Sequence, residues 1–207
     1  MTNRKEKPIL YSTPMVKAIL DGNKTMTRRV SGLKDININP NEWIIDEDYM
    51  DSHPEFEELK WIALWNDKTK TLSIVKPRYQ IGDRLWVRET WYSTPNKKEL
   101  LGYVADGDFP HGQTYCIRPS IFMFRKFSRI TLEVTGIGVE RVQDITEADA
   151  IREGFKCEFE PSAEMGEWIP AREIFEITWN ELNFKRGYGW EKNPWVWVYE
   201  FRRLEND

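Results

Sequence analysis

The chain is poor in cysteine and histidine, with two of each in 207 residues. Cys116 and Cys157 lie far apart and form no C-x-x-C pair, which excludes a disulfide scaffold and a zinc knuckle. Two free thiols fit a reducing compartment, so a cytoplasmic location is expected. His53 and His111 stand alone and read as surface-loop residues; no metal site and no cofactor is expected. Long apolar runs are missing too. No stretch is long enough to span a bilayer, and the basic opening MTNRKEKP meets Ser12 and Thr13 before a signal-peptide core can form. No membrane association is expected. Positive charge is not in excess, since 30 Lys and Arg against 34 Asp and Glu leave a formal charge of -4. Bulk charge therefore does not advertise nucleic acid, and an anion site would have to be a local patch. No internal repeat and no βαβ pattern is visible.

What is present suits a folded domain. Hydrophobic residues make up 40% and charged residues 31%, outside the range of disordered chains. The length allows one sizeable core, or a smaller core with insertions. Ten tryptophans argue for an aromatic core, with some left for stacking surfaces. The stretch around which the chain is organised spans 9–30. Ile9, Leu10 and Tyr11 read as a short strand. Ser12 or Thr13 can cap a helix whose first turn accepts Pro14, where a missing N–H costs nothing. Met15, Val16, Ile19 and Leu20 share one apolar face, and Gly22 is a natural stop. Lys24, Thr25, Thr27, Arg28 and Arg29 follow in quick succession. By statistics they form a solvated loop with a cationic edge; by density of hydroxyls and cations they line a site.

Residues 31–77 are the least orderly and read as an insertion. They carry an acidic run through Asp46, Glu47, Asp48 and Asp51, continued by Glu55, Glu57 and Glu58. The run lacks the ligand spacing of a calcium loop and reads as a solvated face. Within the insertion, 61–65 and 72–75 form a hairpin turned at Asn66, Asp67 and Lys68. RLWVRETW, 84–91, is a strand after a turn at Gly82. Residues 93–119 are turn-rich, with 103–104 and 114–117 as paired short strands. The alternation over 129–142 is the clearest strand signal, with a bulge or bend at Gly136 and Gly138. Thr146 and Asp149 suggest a capping box opening a short helix that ends at Gly154. Residues 157–168 read as loop. Pro170 opens a longer helix with Ile174, Phe175, Thr178, Trp179 and Leu182 on one face. The last strand, 195–201, is apolar on both faces and reads as central. Several strands with few helices point to an α+β fold, a small mixed or antiparallel barrel with helices on its ends.

Taken together, these residues resemble the ASCH family of the PUA-like superfamily, in particular the longer ASCH proteins of phages and prophages. The likeness rests on an ordered set. Gly22, Lys24 and Arg29 fit G-x-K-x-x-x-x-R after a short helix. Gly82 to Trp91 fit G-D-x-L-W-V-R-E-T-W, and Pro119 to Met123 fit P-S-I-x-M. The acidic block from Asp144 to Gly154 and the Asn-Pro-Trp-Val-Trp-Val strand from Asn193 to Val198 complete it. The set covers most of the chain outside 31–77. The resemblance implies a single domain over 1–207, a PUA-like β-barrel with helices packed at the barrel ends and an insertion at about 31–77. It also implies a cleft that takes RNA, a modified nucleobase or a nucleoside. Phe122 and Phe124 stand where the family usually has histidine and proline, so histidine-dependent chemistry is not expected there.

Three functions stay open. In the first, the cleft binds RNA or a modified base. Lys24, Arg28 and Arg29 then contact phosphates, Trp86, Arg88 and Trp91 stack on or flank a base, and Arg125, Lys126 and Arg129 extend the cationic rim. A core role suits at least one of Trp86 and Trp91 equally well. In the second, the resemblance to small enzymes that hydrolyse N4-acetylcytidine assigns Lys24 as base, Thr27 as nucleophile and Glu153 as proton shuttle. A threonine hydroxyl needs a base, and a lysine serves only with a lowered pKa, which burial or the cations Arg28 and Arg29 would provide. The residue types suit local capping and phosphate contact as well. In the third, the acidic, tryptophan-containing insertion is a protein-interaction module. The oligomeric state is not legible.

Overall fold

The computed structural model describes residues 6–96, 99–112, 114–160 and 167–205. In chain order the elements are β1 (Glu6–Leu10), α1 (Thr13–Leu20), β2 (Met26–Arg29), β3 (Trp43–Ile45), α2 (Glu47–Asp51), α3 (Glu55–Leu59), β4 (Ile62–Asn66), β5 (Thr71–Val75) and β6 (Arg84–Arg88). They continue with β7 (Trp91–Ser93), β8 (Leu100–Tyr103), β9 (Cys116–Arg118), β10 (Thr131–Arg141), α4 (Glu147–Arg152), β11 (Glu158–Glu160), β12 (Glu167–Ile169), α5 (Ala171–Asn183) and β13 (Trp195–Leu204). The class is mixed α+β, with strands in several sheets and few helices. Among the described residues the strand pairings do not run round into a closed barrel, and no helix is long and apolar enough to cross a membrane. The chain divides into two compact units. The first comprises 1–25, 82–134 and 201–207, and the second 26–81 and 135–200.

In the first unit β1 pairs in parallel with β6, and β6 pairs antiparallel with the start of β10. The alternation expected in β6 holds, since Leu85 and Val87 are fully buried between half-buried Trp86 and Arg88. The strand does not run on to Trp91. The chain breaks at Glu89 and Thr90, and β7 becomes the centre of a second sheet, β8-β7-β9. The segments expected to pair with each other therefore pair with β7 instead. Helix α1 buries Val16 and Ile19, and Gly22, at φ +76°, ends it as expected. Its N-cap is Ser12, acting without a side-chain hydrogen bond.

In the second unit β13 pairs antiparallel with β2. The Thr146 capping box is formed, with Asp149 as its second member. Helix α5 buries Ala171, Phe175, Trp179 and Asn183, an i, i+4 row. This row is rotated from the expected face, and Leu182 is exposed. Its members Ala171, Phe175 and Trp179 pack with Val30, Val142, Ile145, Ala150, Trp190 and Val196 as one core. The hairpin expected within 31–77 is present as β4 and β5, with β3 added beside β4. The first part of the 31–77 segment packs inward. Leu33 and Ile36 are buried, and Asn37 pairs with the backbone of Trp195 through two hydrogen bonds, Nδ2 to O at 2.9 Å and N to Oδ1 at 2.7 Å. The stretch read as loop contains the β11–β12 hairpin; 161–166, part of that reading, lies outside the described residues.

Candidate functional site

The cationic stretch behind α1 is a strand rather than a solvated loop. Met26, Thr27 and Arg28 are all buried. Its register sets the direction of each side chain. Arg28 lies opposite Val198 and Met26 opposite Glu200, while Thr27 lies opposite Tyr199 and Arg29 opposite Trp197. Successive strand side chains face opposite ways. Arg28, Met26, Val198 and Glu200 therefore share one face, and Thr27 turns to the other, beside the buried Tyr199 ring.

On the Arg28 face the chain has built a nest of carboxylates. The guanidinium, 1% exposed, donates Nε to Glu140 Oε1 at 2.7 Å and Nη1 to Glu153 Oε1 at 3.3 Å, and Nη2 lies 3.4 Å from Asp149 Oδ2. Asp149 also accepts from the Thr146 hydroxyl at 2.8 Å, so the helix cap and the ion pair share one side chain. Arg152, one turn on, reaches Glu200 Oε1 at 2.9 Å. A buried cation needs such partners, because its desolvation is otherwise prohibitive. Burial pushes the Glu140 carboxyl up from the ordinary glutamate range, against the pull of the Arg28 guanidinium.

The nest borders a cavity of about 420 Å³ lined by β2, β13, β10 and α4, within the range of about 300–1,000 Å³ typical of small-molecule sites. Residues 136–140 of β10 line it, with Gly136, Gly138 and Glu140 together on one face of the strand. The glycines leave the room. A Cβ on Gly136 would stand 2.9 Å from Glu200 Oε2, closer than real Cβ atoms come. The lining thus holds two arginines among carboxylates, so its character is acidic with fixed donors, not cationic.

The other expected site residues are placed as follows. Glu153 is 3% exposed and joined to Arg28, not an exposed helix end. Lys24, in the first unit, is 2% exposed with its ammonium 5.5 Å from the Tyr11 ring centre. Arg129 forks onto buried Glu89 through two 3.0 Å bonds, also meets Asp106 at 2.7 Å, and lies over the Tyr103 ring. Burial pushes the Glu89 carboxyl up against this pairing. Exposed Arg125 holds Glu6 at 2.7 and 2.9 Å, and that guanidinium keeps the Glu6 carboxyl below its usual range. Lys126 lies over the Phe127 ring at 4.8 Å. Arg88 donates to the Met123 carbonyl at 3.2 Å and lies over Trp86. Trp91 is wholly buried against Phe127, so of the two tryptophans it is the one in the core.

Sequence reasoning missed Glu140, Arg152 and Glu200, saw Asp149 only as a cap, and saw Gly136 and Gly138 only as a bulge or bend. A signal was there. Glycine, glycine and glutamate at period two within one strand mark a face kept empty up to a carboxylate. Comparison with family models, curated proteins and solved structures returned no match.

Proposed function

We propose that the cavity beside Arg28 takes a modified nucleobase or nucleoside and reads its polar edge, rather than holding a run of phosphates. The observation that carries this reading is the pairing of fixed donors and acceptors around one space: Arg28 and Arg152 beside Glu140 and Glu200, against a wall cleared by glycines. Carboxylates accept from exocyclic amines such as that of cytosine, and guanidinium groups donate to ring nitrogens and carbonyls. Phosphate contact is less well supported. Arg28, Arg125 and Arg129 are each bound by carboxylates, whose negative charge opposes a phosphate but not a neutral base. The ASCH resemblance, a barrel-like wrapping of the sheets and a cytoplasmic location belong to the same reading.

The test is calorimetric titration with N4-acetylcytidine, cytidine and a single-stranded RNA at low and high salt. A nucleoside should bind with an affinity that changes little with salt. Glu140→Gln should weaken it about tenfold or more, as expected for loss of a charge-assisted hydrogen bond. RNA binding with a steep salt slope and no nucleoside binding would overturn the reading and restore the phosphate role of the arginines. Chromatography of the same mixtures checks turnover. Release of cytidine that vanishes in Thr27→Ala would establish the hydrolase instead.

A further inference from the structure

The insertion carries a second surface with its own chemistry, independent of the nucleoside reading. In the β3-β4-β5 sheet Ile44 lies opposite Trp65, Trp65 opposite Leu72, and Ala63 opposite Ile74. Cross-strand partners share a face, so Ile44, Trp65, Leu72 and Ile74 form one apolar row on the side away from buried Leu64 and Val75. Ile44, Leu72 and Ile74 are exposed on it, with Trp65 half-buried and Ala63 buried among them. Ile44 is 60% exposed, Ile74 42% and Leu72 36%. Contiguous apolar surface of this kind on a polar rim marks an interaction site more often than chance.

The rim is predominantly acidic, with Lys76 just past the end of β5, its ammonium over the Trp61 ring, as the exception. A cavity of about 470 Å³ joins Ile44, Ile45 and Trp65 to Asp46, Glu47 and Asp48 at the start of α2. Glu47 and Asp48 are exposed. Asp51, Glu55 and Glu58 extend the acidic side, also exposed. The three lysines within 42–75 are each engaged by an acid: Lys60 by Glu57, Lys68 by Glu42 at 2.9 Å and Lys70 by Asp67 at 2.6 Å. The Lys68 ammonium holds the Glu42 carboxyl below its ordinary range. The charge left over beside the apolar row is therefore negative. Nucleic acid is repelled by such a surface, and a second copy would bring the same sign against it.

We infer that this face docks a basic amphipathic segment of a partner protein, one carrying lysines or arginines beside bulky apolar side chains. The apolar row supplies the contact area, and the acids select the sign and raise the rate of encounter.

The test uses three synthetic probes, peptides of alternating leucine with lysine, serine or glutamate. Binding to the whole protein is read by fluorescence anisotropy. The leucine–lysine peptide should bind at least about tenfold more tightly than the leucine–serine one, with the advantage shrinking as salt rises. Ile44→Ser with Leu72→Ser should lose that binding while circular dichroism stays unchanged. The double reversal Glu47→Lys, Asp48→Lys should move the preference to the leucine–glutamate peptide. Equal binding of lysine and serine peptides, or a reversal that leaves the preference where it was, would overturn the inference. So would a dimer in sedimentation that Ile44→Ser dissolves, since the face would then be filled by a second copy.

Discussion

Arg28 stands in a strand where an ordinary sequence would place valine, and three carboxylates far along the chain make that possible. Glu140, Asp149 and Glu153 converge on one guanidinium. Removing a single partner from a buried ion pair leaves the others uncompensated. Arg28→Ala should therefore cost about 3–5 kcal/mol at neutral pH. The sign of its pH dependence follows from Glu140, whose folded carboxyl titrates above the ordinary value of 4.5 through burial. A group raised in this way favours folding fully at acid pH, and that stability is lost as pH rises through the folded value. Without Arg28 the remaining restraint on Glu140 is gone and the raise is larger. The deficit of the variant should thus shrink as pH falls below the ordinary glutamate range. Urea unfolding of both proteins at neutral and at acid pH checks this. An equal deficit at both would show that packing, not charge, is what Arg28 contributes. Arg28→Lys should fall between the two, because one ammonium cannot fork to three acids.

At the scale of elements, the 31–77 segment has a buried root and an exposed head. The root is Leu33, Ile36 and Asn37, and Asn37 is 1% exposed. Asn37→Ala would strand the N–H and C=O of Trp195 without partners inside the unit, at a cost of about 3 kcal/mol. Ile44→Ser, in the head, should stay within about 0.5 kcal/mol of the parent, as surface changes do. Urea midpoints of the two variants make the comparison, and equal losses would show the head to be as firmly packed as the root. The difference was not legible in the sequence, because a run of asparagines before a proline reads as loop wherever it is, and only the distant strand edge at Trp195 buries it. The same reason hid β2. Three of its four residues are polar, and the burial of Arg28 depends on acids in β10 and at α4. By contrast β13 and β10 were legible, since alternation and β-branched residues need no distant partner to speak for them. The capping box at Thr146 and the glycine stop at Gly22 were legible too, because each acts within a few residues of itself. For β8 and β9 the segments were found but not their partner; β7, three residues long, is too short to show a period.

At the scale of the molecule, the chain passes between the two units four times, at 25–26, 81–82, 134–135 and 200–201. Two of these passages lie inside single strands, β10 and β13, which contribute hydrogen-bonded residues to both units. Melting one unit would free its own portion of each shared strand, and each of these strands continues into the other unit. Loss of one should carry the other with it, giving a single cooperative transition despite the division. The tryptophans make the test direct. Two, Trp86 and Trp91, belong to the first unit, and the other eight of the ten to the second. Intrinsic fluorescence therefore reports mainly the second unit, while far-ultraviolet circular dichroism reports both. The two signals should trace the same urea curve, with the same midpoint and slope. A fluorescence transition that separates from the dichroism would show that the second unit opens alone. The cavity beside Arg28 and the acidic face, both within that unit, would then share a local stability lower than that of the whole chain.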